Sequence, residues 1–449
     1  MIDRPNNPAQ QLARAASGKQ HIAVVGAGIS GLACAWLLSR EHHVTLFEAG
    51  DYLGGHTNTV DVTLEGKTHP VDTGFLVFNE QTYPNLIAML GLLGVKSVET
   101  EMSFAVSLEH PDLEWAGSNL ATLFGQKRNL LRPRFWTMLS DILRFNRESA
   151  AWLANHPGRQ LSLREYLRQG GYSSAFSEWY LLPMASAIWS CPTGQMLDTP
   201  LSTFVRFCQN HGLLQVFDRP LWRTVKGGGR EYVRKIAAQL EDIRLSCPVT
   251  AVERQAAGLR VSYAGGSELF DRVVMACHSD QALTVLGGAA SEGQREVLSA
   301  IRYQPNRAVL HTDPRLLPRD EKLWSAWNYF AGSGAAGQQP VAVSYLINRL
   351  QPLPFKTPVV VTLNPLREPD PAKVIAEYDY AHPIFDGPAI AAQQRLEPIQ
   401  GENGIWLCGA WGSYGFHEDG LKSALRVANA MGIAAPWQGG GMFRELASA

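Results

Sequence analysis

HIAVVGAGISGLACAWLLSREHHVTLFEAGDYLGG, residues His21 to Gly55, holds the spacing that decides the fold. Ile22 to Val25 is continuously apolar, which suits a parallel strand covered on both faces. The turn Gly26-Ala27-Gly28-Ile29-Ser30-Gly31 follows at once. Its first glycine permits a tight turn, its second a close backbone approach to a pyrophosphate, and its third close packing of a helix expected over Leu32 to Ser39. That helix directs its N-terminal amides at the phosphates. A second strand, Val44 to Phe47, ends at Glu48, where a carboxylate can accept a ribose hydroxyl. With the glycine pair Gly54 and Gly55 further on, the stretch favours FAD over NAD.

At 449 residues the chain predicts two or three domain-sized units, and 45% hydrophobic against 18% charged residues is enough to build large cores. A formal net charge of -1 gives no general affinity for nucleic acid. The six cysteines form no CxxC pair or zinc spacing, and the histidines are scattered without HExxH, so no metal site is expected. No GxSxG hydrolase elbow is present. Residues 1–20 read as a disordered lead-in without the apolar core of a signal peptide, and the cluster Leu86 to Val95 is too short to span a bilayer. A soluble cytoplasmic protein is expected, with peripheral contact at the inner membrane face as an extension of that reading.

The pattern returns to the nucleotide fold three times. An FAD-binding domain is expected over 21–78, 225–286 and 401–435, a substrate domain over 79–224 and 287–400, and a tail over 436–449. Leu245 to Glu253 and Leu259 onward alternate as antiparallel strands, Phe270 to Cys277 ends in a buried strand, and Gly404 to Ala410 is a short strand before a helix over Leu421 to Met431. The fold class is therefore α/β: a discontinuous Rossmann-type FAD-binding domain with an inserted α+β substrate domain. Lys226 to Tyr232, KGGGREY, lacks the GxGxxG spacing and reads as a turn before a helix over Glu231 to Leu240. With one fingerprint only, electrons are expected to leave to oxygen, a quinone or another protein.

The signature from Gly26 to Val60 resembles the FAD-dependent amine oxidase and phytoene desaturase superfamily, and the resemblance continues through YLLPMASAIWSCPTGQMLDTPLSTF, VKGGGREYV and RVVMAC. HTNTV, DTGFLVFNEQTYPNL and WGSYGFHEDGLKSAL are similar to a narrower group of flavoproteins associated with, or fused to, cyclopropane-fatty-acid-synthase-like methyltransferases. The superfamily resemblance implies non-covalent FAD with Gly26, Gly28, Ile29, Ser30 and Gly31 at the pyrophosphate and Glu48 at the ribose. It places Gly54, Gly55 and His56 near the phosphates and ribityl chain, Val249 at the adenine, Gly420 and Leu421 at the flavin pyrimidine, and Gly409 among the cofactor-binding residues.

His56 stands where the family often has Arg, and Ala410 where it often has an acid. Unpaired amides at a helix beginning at Leu421 are expected to stabilise the charge of reduced flavin. Cys408 reads as a small buried hydrophobe.

Candidate catalytic residues lie in the loop Trp411 to His417: Trp411 and Tyr414 as pocket walls, each weighed against plain packing, and His417 as a proton carrier near neutral pH, weighed against a helix-entry hydrogen bond. Trp189 is a candidate wall from the insertion, and Lys422 is weighed between the flavin and the surface. Between Leu120 and Arg147, Lys127, Arg128, Arg132, Arg134, Arg144 and Arg147 alternate with apolar residues; this is either a solvated helical face or a membrane-surface contact. The resulting expectation is hydride transfer from a C–H bond of an apolar, lipid acyl substrate to flavin N5. The alternatives are an amine oxidase of the same fold and an FAD-stabilised accessory partner of a lipid methyltransferase.

Overall fold

A computed structural model describes residues 18–156, 161–189, 193–210, 212–214, 220–332 and 341–438. Residues 1–17 of the expected lead-in, Cys191, and residues 439–449 of the expected tail lie outside the described residues.

Five parallel strands form the first sheet: β1 (His21–Val25), β2 (His43–Phe47), β3 (Asp242–Arg244), β4 (Arg272–Met275) and β5 (Ile405–Leu407). Their spatial order is β3-β2-β1-β4-β5, with every neighbouring pair parallel. The chain lays β2 and β3 on one side of β1 and then returns to lay β4 and β5 on the other. The order therefore reverses at the carboxyl end of β1, where open α/β sheets bind ligands. The glycine turn sits at that reversal.

Helix α1 (Ile29–Leu38) starts three residues earlier than the spacing predicts, with Gly28 as its N-cap, so Gly31 lies inside its first turn. All ten of its residues are buried, because it is covered by the sheet on one side and by other helices around it.

Val249–Gln255, Gly258–Tyr263 and Gly266–Phe270 form an antiparallel three-stranded sheet, one strand more than the sequence pattern gives. A seven-stranded mixed sheet anchors the inserted region, in the order 374–383, 303–311, 360–363, 341–346, 327–331, 104–108, 113–116. This α/β architecture with an added α+β unit is the expected fold class.

Packing crosses the expected domain boundaries. Helix α2 (Pro84–Leu92) buries Leu86, Met89 and Leu90 in the core around α1. The helices Glu292–Ala300 and Gly387–Gln393 bury Val297, Leu298, Ala389 and Ala392 against the opposite face of the parallel sheet. Conversely, the hairpin Thr59–Leu64 and Lys67–Asp72 gives Val62 and Val71 to the core of the seven-stranded sheet. An apolar helical stripe requires burial but does not name the sheet that covers it.

Helix α3 (Pro133–Asn155) opens with proline at its first position and turns Phe135, Met138, Phe145 and Ser149 inward at three- to seven-residue intervals. Helix α4 (Leu201–Asn210) packs Phe204 and Phe207 into the helical core that Phe145 of α3 enters, while Phe135 and Met138 pack under the seven-stranded sheet.

Candidate cofactor cleft and active site

The glycine turn is shaped by contact. A Cβ on Gly31 would lie 1.8 Å from the Gly26 carbonyl oxygen, so only glycine lets α1 approach the turn. Gly28 is different: its φ is -69° and a Cβ there would meet nothing within 4 Å. Its glycine leaves open space, the kind a pyrophosphate occupies. Ser30 and Ile29 line the first turn of α1 beside that space and are both buried. The second glycine pair closes on the same place, with the Gly54 amide donating to the Ala27 carbonyl at 2.9 Å and Gly55 approaching Gly28.

Glu48 receives amides from Ala27 and Gly50, each at 2.8 Å, one on either carboxylate oxygen. Each oxygen retains acceptor capacity for a ribose hydroxyl. The Cys247 amide donates to the Glu48 carbonyl at 2.9 Å, which draws the start of the Val249–Gln255 strand, and Val249 itself, to the adenosine end.

Burial and the neighbouring imidazoles of His382 and His278 push the pKa of His56 down to about 3, so its ring is neutral near pH 7. Its ring stacks on Tyr380 at 5.0 Å, and its Nε2 is buried without a partner among the described residues.

Helix α5 (His417–Ala430) begins a full turn before the expected start at Leu421. Asp419 reaches back to accept from the Phe416 amide at 3.0 Å, which caps the helix at that earlier point. The Gly420 amide is then spent on the Phe416 carbonyl at 3.0 Å. The amides that helix geometry leaves unpaired are therefore those of residues 417–419, not those of Gly420 and Leu421.

Gly420 has another role. A Cβ there would strike Ile29 and Ser30 at 2.7 and 2.9 Å, so its absence brings the entry of α5 against the entry of α1. Leu421 is fully buried in the same core. Lys422 leans back over Glu418 at 3.8 Å and is half exposed, a surface position. Glu418 accepts from the Asn85 and Leu86 amides and so caps α2.

The loop before α5 divides into two environments. Trp411 turns inward, is 2% exposed, covers Gly409 and donates its indole N–H to the Cys277 carbonyl at 3.1 Å. It is a core residue and not a pocket wall. Cys408 is fully buried, as a small hydrophobe would be. Tyr414 instead remains partly open and meets Phe207 of α4 at 6.0 Å, where Phe416 stacks at 4.8 Å and Trp189 approaches at 4.5 Å. The fold thus brings Tyr414 and Trp189 together through Phe207.

His417 is the first residue of α5. Its Nε2 lies 2.7 Å from Tyr232 Oη and 3.3 Å from Thr57 Oγ1, and its ring stacks on Phe75 at 3.7 Å. Burial pushes its pKa down to about 3, so its ring is neutral near pH 7.

Several residues around the cleft were not singled out by sequence reading. Asp72, the last residue of the Lys67–Asp72 strand, accepts from Thr59 Oγ1, the Gly229 amide and Gln351 Nε2. The signal available was the pairing of two conspicuous turns, Asp72-Thr73-Gly74 and Gly227-Gly228-Gly229, which the fold places together. Tyr232 closes the KGGGREY stretch read as a turn before a helix, and His278, Asn306, Tyr380 and His382 carry no local motif.

The residues present fit FAD: open space at Gly28, an acceptor at Glu48, two converging helix entries and an orphaned ring nitrogen at His56. A parallel sheet with this reversal, this glycine turn and this terminal acid defines a dinucleotide-binding flavoprotein fold. The chain belongs to the flavin-containing amine oxidoreductase family, whose profile matches residues 29–346, and the cofactor of that family is FAD.

Among curated relatives, a Mycobacterium tuberculosis protein named as a flavin-containing monoamine oxidase is 28% identical over 328 residues. That match covers 68% of this chain and 62% of the relative, so the chain spans less than two thirds of its length. A structure named as a protoporphyrinogen oxidase, from Exiguobacterium sp. 255-15, superposes with a TM-score of 0.66 at 17% identity, covering 92% of this chain and 98% of that one. A fatty acid isomerase from P. acnes superposes with a TM-score of 0.63 at 14% identity, covering 92% and 99%. At these identities the two structures establish the fold alone.

Proposed function

We propose that this protein is an FAD-dependent oxidoreductase acting on a C–H bond of an apolar substrate, a lipid acyl chain. FAD, when bound, would supply a two-electron acceptor for this oxidation. The protein's own part is to hold the chain and keep water away. The observation that supports this reading is the aromatic cluster at the entry of α5, where Tyr414, Phe416 and Trp189 pack around Phe207. The two nearby carboxylates are already committed, Glu418 to α2 and Asp419 to the Phe416 amide. The cluster therefore offers apolar contact to an acyl chain.

A second reading, an amine oxidase, is favoured by family membership and by the monoamine oxidase relative. Trp411 argues against it, because the expected Trp411 and Tyr414 cage is not formed. Anaerobic titration of the yellow protein separates the two: bleaching of the visible flavin bands by acyl lipids supports the first, and bleaching by amines alone overturns it.

The region 120–143 supports contact with an anionic lipid surface. Leu131 is 87% exposed, Leu120 74%, Leu143 60% and Trp136 50%. Lys127, Arg128, Arg132 and Arg134 flank them, with Arg128 and Arg132 leaning on Asp112. Apolar side chains bordered by cations suit the boundary between headgroups and acyl chains. No helix among the described residues is long and apolar enough to cross a membrane.

A further inference from the structure

A run of hydrogen bonds that starts at one backbone amide determines which nitrogen of His382 carries the proton. The Arg307 amide can only donate, and it donates to Asn364 Oδ1 at 3.0 Å. Asn364 must then present its Nδ2 to Asn306, where it donates to Oδ1 at 2.7 Å. The Asn306 Nδ2 is left to donate in two directions, to the Gln304 carbonyl at 3.2 Å and to His382 Nδ1 at 2.8 Å. A carbonyl can only accept, so Gln304 independently demands the same amide orientation. His382 Nδ1 is therefore an acceptor, and the ring hydrogen resides on Nε2.

The network is sequestered. Asn306 is 1% exposed, on the strand Tyr303–His311 that pairs antiparallel with Val374–Pro383, and that register sets Gln304 opposite His382. Burial and the His278 imidazole hold His382 neutral by pushing its pKa down to about 4. Its ring lies 5.2 Å from that of His56, whose Nε2 is buried and unpartnered among the described residues. No partner for His382 Nε2 exists among them either. His56 directly follows Gly55, which abuts Gly28, and the His382 ring packs beside that of His56, so His382 sits next to the cofactor cleft.

We propose that His382 is a cofactor-binding residue whose Nε2–H donates to an oxygen or nitrogen acceptor of FAD beside His56, and that Asn306 and Asn364 are positioning residues that hold its tautomer. The proposal rests on the assignment of this cleft to FAD and is separable from the identity of the substrate. It needs a neutral donor, and an acceptor-only neighbour at position 306 would invert it. Asn306→Asp would require a hydrogen on His382 Nδ1, and a neutral ring would then carry none on Nε2.

The test is FAD binding to the folded apoprotein, followed by flavin fluorescence quenching and by the visible spectrum, with folding checked by circular dichroism. His382→Phe and Asn306→Asp are expected to weaken FAD by about tenfold or more and to shift the visible bands, the effect of losing one buried hydrogen bond. His382→Gln, which keeps an N–H at the Nε2 position and leaves the asparagine chain intact, is expected to remain within about threefold of the wild type. Wild-type affinity and an unshifted spectrum in both His382→Phe and Asn306→Asp would overturn the proposal, as would a His382→Gln protein as weak as His382→Phe. Wild-type protein that takes up no FAD would overturn the flavin assignment itself, a result read before any variant is made.

Discussion

Tyr232 Oη and His417 Nε2 stand 2.7 Å apart, joining the helix after the Gly227 to Gly229 turn to the first residue of α5. Thr57 Oγ1 completes the triangle at 2.6 Å from Tyr232. Tyr232→Phe removes the shared hydroxyl and leaves two buried polar atoms short of a partner. The expected cost is about 1–3 kcal/mol, visible as a lower urea midpoint with little change in substrate preference. A shifted substrate preference at unchanged stability would instead place this group in the chemistry.

Acid should destabilise the protein well above the carboxylate range. His56 and His417 are pushed down to about 3, and His382 and His311 to about 4, all by burial. An unfolded histidine titrates near 6.5. Between about pH 6.5 and pH 4 the unfolded chain therefore binds protons that the folded protein refuses, and stability falls as pH drops, by on the order of 2 kcal/mol per histidine at pH 5. Asp72, raised by burial to about 6, runs the other way and offsets part of this loss. Urea midpoints at pH 7 and pH 5 test the sign; an equal or higher midpoint at pH 5 would contradict it.

Gly28 and Gly31 should fail differently. Gly31→Ala drives a methyl into the Gly26 carbonyl and is expected to cost about 3 kcal/mol or more in the apoprotein. Gly28→Ala meets no protein atom and should leave apoprotein melting unchanged while weakening FAD severalfold or more. Equal FAD binding by Gly28→Ala and wild type would remove the pyrophosphate from that space.

Trp411 and Tyr414 separate stability from substrate recognition. Trp411→Phe loses the bond to the Cys277 carbonyl and should lower stability by about 1–2 kcal/mol with KM for acyl substrates unchanged. Tyr414→Ala should raise that KM at nearly constant stability. The reverse pattern would exchange their roles.

Binding to vesicles containing anionic lipid should fall with added salt and fall further in Leu131→Ser and Trp136→Ser, measured by co-sedimentation. Binding that ignores both salt and these substitutions would exclude the 120–143 surface.

What the sequence disclosed depends on the range of the interaction. The turn from Gly26 to Gly31 and the acid at Glu48 were legible because strand, turn and helix are set by neighbours only a few positions away. The start of α5 was missed by four residues because Asp419, within the same turn, caps Phe416 and moves the helix forward. The role of His417 was hidden because its burial depends on Tyr232 and Phe75, from distant segments. Trp411 and Tyr414 stand three positions apart in one loop, and only the placement of α4 and of Cys277 decides which faces the core. The His382 tautomer needs the register between two strands that no local pattern supplies.

The contact of Gly420 with Ile29 and Ser30 has a consequence for biogenesis. The seat for the prosthetic group is assembled from segments far apart in the sequence, so a nascent chain that has not yet reached α5 holds only half of it. Flavin capture must then follow translation of α5, and shortage of the vitamin would leave an apoprotein whose two halves are docked without their common ligand.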